Sequence, residues 1–164
     1  MASNKKPRKK YRPRPVRADL IGYVKESLTP VAAHTNFILD LRIKNHSALA
    51  ALTHGEATRA QFDVLIAAVN MTEAFYRLGI GKDYKDEIKA GLDALHTVGV
   101  RGATSLGGRF VLRAEEMKAI NLIMEIHDAQ LDVVTMKEME QAIALVTNVV
   151  RGKGARPIMQ RAAA

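Results

Sequence analysis

The chain has no cysteine and no tryptophan, and only four tyrosines and four phenylalanines among 164 residues. The missing cysteine excludes thiolate zinc sites, iron–sulfur clusters and thiol nucleophiles. It also fits a reducing compartment, so a cytoplasmic location is the expectation. A domain of this length has room for a core that needs neither disulfide nor structural metal. No run approaches the roughly eighteen apolar residues that mark a membrane-spanning helix. No apolar stretch follows the first charges, so no secretory signal is expected.

Acid is missing where base is concentrated. The stretch MASNKKPRKKYRPRPVR holds eight cations and no carboxylate. The whole chain carries 25 basic and 17 acidic residues, a formal +8, so residues 18–164 hold 17 of each. Four further cations, Arg151, Lys153, Arg156 and Arg161, lie at the other end without an acid. Residues 18–150 are therefore mildly acidic, flanked by two basic ends. That segregation assigns any nucleic-acid affinity to the ends.

Three prolines and self-repelling charge leave residues 1–17 nothing to pack, so a disordered basic arm is expected there. A helical domain over 18–151 and a flexible basic tail over 152–164 complete the expected organisation. Apolar residues recur at helical spacing through the body. Leu20, Tyr23, Val24 and Leu28 would face inward from a first helix. Thr29-Pro30 reads as an N-cap and first-position proline. It opens a second helix to about Lys44, with Val31, His34, Ile38 and Leu41 inward. A short piece over 47–52 ends at Gly55. Thr58 and Gln61 form a capping box at the head of a long helix bearing Phe62, Leu65, Ile66, Val69 and Tyr76. Asp83 is placed to cap a helix over 84–98, with Ile88, Leu92 and Leu95 inward. Four glycines in GVRGATSLGG, 99–108, break the pattern, and Arg109–Leu112 reads as a short strand pairing with Val98–Val100. Another helix covers 114–132. Thr135 and Glu138 form a second capping box, with Val134 and Met139 set as a hydrophobic staple, before a last helix to Arg151. The expected fold is all-α: a compact bundle of five or six helices, with a short β-hairpin near 98–112. Segments 66–76 and 121–131 echo one another as a duplication would, or as two unrelated amphipathic helices would. Apolar residues left over from one bundle's interior make a homodimer reasonable.

Candidate chemistry is sparse. Lys5, Lys6, Arg8, Lys9, Lys10, Arg12, Arg14 and Arg17 suit phosphate contact, which needs cationic donors without fixed spacing. Tyr11 can stack on a base. In the body, Arg101 and Arg109 of the glycine-rich stretch are the best candidates for gripping an anion. The helices flanking LGIGKD read as an αα-hairpin rather than a recognition pair, because acids oppose Lys82, Lys85 and Lys89. His127 falls on an apolar stripe; as a base or ligand it would found a small enzyme or metal protein, but a buried histidine bonded to a neighbouring helix is the simpler reading. No Glu-x-x-His motif supports a helical metal site, and Glu73, Glu125, His96 and His127 have no spacing that forces convergence. No catalytic residue, metal or cofactor is assigned.

The expectation is a non-enzymatic helical protein of bacterial or phage type. Its basic arm contacts the backbone of DNA or RNA, and no membrane is involved. The alternative is a protein-binding regulator or inhibitor that works through its helical surface while the arm grips an acidic protein partner.

Overall fold

The computed structural model describes residues 20–104, 108–152 and 154. Six α-helices account for nearly all of them: α1 (Leu20–Ser27), α2 (Thr35–Thr53), α3 (Arg59–Arg77), α4 (Lys85–Thr104), α5 (Ala114–Val133) and α6 (Met136–Arg151). The basic arm and most of the basic tail lie outside the described residues.

Local sequence explains most of the starts. Both expected capping boxes form: Thr58 and Gln61 satisfy each other's backbone N–H groups at α3, and Thr135 and Glu138 do so at α6. Val134 and Met139 are both buried, as the staple requires. Pro30 does not open α2. It precedes a 3₁₀ turn over Val31–Ala33, and α2 begins only at Thr35. The segment around Pro30 instead straps onto the α5–α6 turn. Val31 N–H donates to Val134 O at 2.8 Å and Met136 N–H donates to Thr29 O at 3.0 Å.

Three boundaries differ from the sequence reading for one reason: tertiary contacts outweigh local propensity. The second helix does not end near Lys44 but runs unbroken to Thr53, because Asn45, Ala48 and Leu52 are buried by their neighbours. The glycine-rich stretch is not a break at its start. α4 continues through Gly99 and Gly102 to Thr104, and both glycines are buried. The expected β-hairpin is absent among the described residues, since Val98–Val100 are helical and Arg109–Leu112 form an irregular extended lead into α5. That lead is held by Phe110, whose ring stacks on Phe62 with centroids 4.2 Å apart and planes 5° from parallel. A β-carbon on Gly102 would lie 2.4 Å from Phe110 Cδ1, so the glycine makes room for the ring.

The core has two parts. The larger joins α2, α3, α4 and α5 around Phe62, Leu65, Val98, Ile120 and Ile123. The smaller sits where the strap meets α6, with Val31, Phe75, Leu131 and Val134 fully covered. The most extensive helix pairing among the described residues is α4 against α5, which meet tightly at Gly91. Helix α1 departs from expectation: its Tyr23 and Val24, and Leu28 just past its end, face solvent rather than the core. No helix among the described residues is long and apolar enough to cross a membrane.

Candidate functional site

Among the described residues, three places combine polar or concave features: the buried face of α5 around His127, the end of α4 around Arg101, and a groove between α3, α4 and α6.

His127 is turned inward by the α5 stripe that also buries Ile120, Met124 and Leu131, leaving it 2 % exposed. Its Nδ1 lies 3.0 Å from Thr72 Oγ1 on α3, and that hydroxyl is 3.1 Å from Ala68 O. Thr72 has one proton. Given to Ala68 O, it leaves Oγ1 to accept from His127 Nδ1–H, and the bare Nε2 is a buried acceptor. The opposite arrangement would bury an unpaired N–H, because Nε2 has no partner among the described residues. Burial therefore opposes protonation and pushes the pKa down to about 4, against a partial counter-pull from Asp128. At neutral pH the ring is uncharged and sealed from solvent. It bonds to a neighbouring helix and does not meet Glu73, Glu125 or His96. No cluster among the described residues could hold a metal ion.

Close to His127 lies a charge network that sequence reasoning missed. Arg42 donates to Asp132 Oδ1 at 2.6 Å and to Asp128 O at 3.0 Å, while His46 Nε2 lies 2.7 Å from Asp128 Oδ2. The available signal was a matched spacing: Arg42 and His46 stand four apart on α2, Asp128 and Asp132 four apart on α5. Spacing alone does not say that two helices are neighbours, so the match has meaning only after folding. The network is half open to water and pins α2 to α5 with modest energy.

The two body arginines proposed for anion contact are differently placed. Arg109 is exposed beside Phe110. Arg101 is committed to an internal clamp: Nη1 and Nη2 donate to the two carboxylate oxygens of Glu116 at 2.7 and 2.6 Å, and Nη2 also donates to Val111 O at 2.6 Å. Glu116 further accepts from Arg113 N–H at the head of α5. Its hydrogen bonds to Arg101 hold the carboxyl below its usual pKa against the opposing effect of burial. The clamp ties the end of α4 to the lead into α5. Glu116→Gln keeps the shape but removes the charge, and is expected to lower unfolding free energy by about 1–3 kcal/mol. Urea unfolding at neutral pH measures this, and an unchanged midpoint would show that the clamp carries no stability.

The third place is the groove. It encloses about 580 Å³, with α3 as its floor and α4 and α6 as its walls. Ile66 and Val69 line the floor, Leu92 and Leu95 one wall, Val146 and Val149 the other. The rim is charged, and much of that charge is internally paired: Arg77 with Glu73 at 2.7 Å and Lys89 with Asp93 at 2.6 Å. Ile66 and Tyr76, expected in the core, are half-buried on this groove, whereas Phe75 takes the fully buried position. The glycines of LGIGKD form a turn rather than a phosphate cradle, and Gln130 Nε2 donates to Ile80 O at 3.0 Å to hold it.

The arm cations Lys5, Lys6, Arg8, Lys9, Lys10, Arg12, Arg14 and Arg17, and Tyr11, lie outside the described residues. Comparison with protein-family models, with curated proteins and with solved structures finds no match to this chain.

Proposed function

We propose that this is a non-enzymatic, cytoplasmic nucleic-acid-associated protein whose N-terminal arm contacts the phosphate backbone. The observation that carries the reading is the segregation of charge: eight cations and no acid in the first 17 residues, against a formally neutral remainder. The body adds to it by contrast. Arg42, Arg59, Arg77, Lys89, Arg101 and Lys118 are each engaged by a carboxylate of the fold. A phosphate chain approaching the protein meets carboxylate-paired charge on those residues, whereas the first 17 residues carry eight cations and no carboxylate of their own.

Fluorescence anisotropy with single-stranded DNA, duplex DNA and structured RNA tests this. If six or more arm cations meet phosphates, affinity falls by roughly 10³–10⁵ between about 50 and 200 mM salt. A chain beginning at Ala18, with its helical circular dichroism retained, should lose that binding. Equal binding by the shortened chain would move the contact to the body, with Arg109 the first residue to replace. Failure of the full chain to bind any probe would end the proposal.

The groove favours a second reading, a protein-binding regulator that works through its helical surface with the arm on an acidic partner. Competition separates the two: an acidic protein partner would be displaced by groove substitutions that leave nucleic-acid binding unchanged.

A further inference from the structure

We infer that the α3–α4–α6 groove is a docking site for the chain's own C-terminal segment, residues 155–164, with Ile158 and Met159 seated between its walls. The end of α6 points to this occupant. Gly152 N–H donates to Asn148 O at 2.8 Å, and Gly154 N–H donates to Val149 O at 3.0 Å. The second bond reaches back five residues, as in the turns that bend a chain away from a helix axis. It sets Gly154 against Val149, where an added β-carbon would lie 3.7 Å from Val149 Cγ1. Gly154 thereby lines the groove together with Val146, Val149 and Val150 of α6. The chain continues from the groove wall itself.

Ten residues follow, ARPIMQRAAA. Ile158 and Met159 are their two large apolar side chains, and Pro157 comes immediately before them. Proline interrupts a helix and biases the residue before it to an extended backbone, which suits a segment laid along a groove. At roughly 3.3 Å per extended residue, Ile158 comes about 13 Å from Gly154. The floor from Ile66 to Arg77 is about 16 Å long, so both side chains reach its middle. The flexible thioether of Met159 suits an irregular apolar slot such as that between Leu92 and Val146. Size favours the tail over a separate protein. The groove encloses about 580 Å³, within the roughly 300–1,000 Å³ of pockets filled by compact ligands. Its exposed lining falls well short of the roughly 800 Å² that each partner brings to a stable protein interface. Two or three side chains match that scale, and tethering supplies what so small a contact lacks. A segment attached at the wall is present at about millimolar effective concentration, an advantage no free partner has. Glu73 and Asp93 on the rim are already paired with Arg77 and Lys89, so the contact rests on the apolar pair rather than on Arg156 or Arg161. Docking makes the groove a gated surface: a protein that binds there must first displace Ile158 and Met159.

The inference does not depend on nucleic-acid binding, because its test contains none. In this cysteine-free chain, Met159→Cys combined with Leu92→Cys introduces a single thiol pair. Under mild oxidation of the full chain, with native helicity checked, the pair should form a disulfide within one molecule. Its rate should not change with protein concentration. Ile66→Cys in place of Leu92→Cys gives a second groove position if the first variant loses its helicity. Adding Ile158→Asn leaves tether length and reach unchanged. It should slow bond formation by roughly tenfold, through loss of one buried aliphatic side chain. A rate indifferent to Ile158→Asn would mean a tail that only samples the groove, and disulfides joining two molecules would make a second copy the occupant. Either result, or no disulfide at either groove position, would overturn the inference.

Discussion

Gly91→Ala is expected to lower the stability of the protein by roughly 3 kcal/mol, although alanine is the better helix former by about 1 kcal/mol. The added β-carbon would stand 2.6 Å from both Cβ and Cγ2 of Ile123 on α5. A clash with Cβ cannot be relieved by rotating the isoleucine, so α4 must move off α5 as a unit. That displacement loosens the largest helix pairing of the fold and the covered positions Ile88, Leu95 and Val98 with it. Thermal unfolding followed by circular dichroism should show a midpoint lowered by roughly 10 °C. Ala90→Gly, one residue away and exposed, should cost only about 1 kcal/mol through propensity. If Gly91→Ala raised the midpoint instead, as at an open helix position, the close approach of α4 and α5 would be wrong.

The second large effect is a loss of stability in acid that traces to His127. The unfolded chain takes up a proton on this ring near pH 6.5, whereas the folded protein resists until about pH 4. Between those values the unfolded state binds more protons, so unfolding free energy falls as pH falls. The contribution is complete above 6.5 and lost by about pH 4. The gap corresponds to about 3 kcal/mol, a large share of a typical domain's stability. His127→Leu removes the titrating group at similar volume and leaves Thr72 bonded to Ala68 O. Urea midpoints for the two proteins should diverge between pH 7 and pH 4, the variant losing less. Parallel pH profiles would mean that the ring titrates normally and is not sealed. Other acid-sensitive contacts, the Glu116 clamp among them, are shared by both proteins and cancel in the comparison.

Much of this protein is written in local sequence. Thr58 with Gln61 and Thr135 with Glu138 stop the chain at the heads of α3 and α6 through hydrogen bonds that span three residues, so no distant partner is needed. The apolar periods of α3, α5 and α6 specify helices and their inner faces for the same reason. The inward placement of His127 follows from the period too, although its partner does not. Thr72 lies 55 residues away, and only the packing of α3 on α5 brings the hydroxyl to the ring. The basic arm needs no fold to be recognised, because its charge imbalance is a property of composition.

What folding alone decided are the positions where a residue serves a distant neighbour against its own local preference. Asn45, His46 and Ser47 look like a helix end, yet α2 passes through them because Ala48 and Leu52 have a core to enter. Gly99 and Gly102 look like a break, yet they are buried within α4, and Gly102 yields its side-chain space to Phe110. Arg101 looks like an anion ligand until Glu116 is seen to fill both arms of its guanidinium. The period of α1 marks an apolar side, but whether that side meets its own core depends on where Pro30 straps the chain. By itself the sequence determined helix identity, capping and the segregation of charge, because those act over a few residues or none. The tertiary structure decided continuity, pairing and exposure, because each depends on which surfaces the folded chain brings within contact distance.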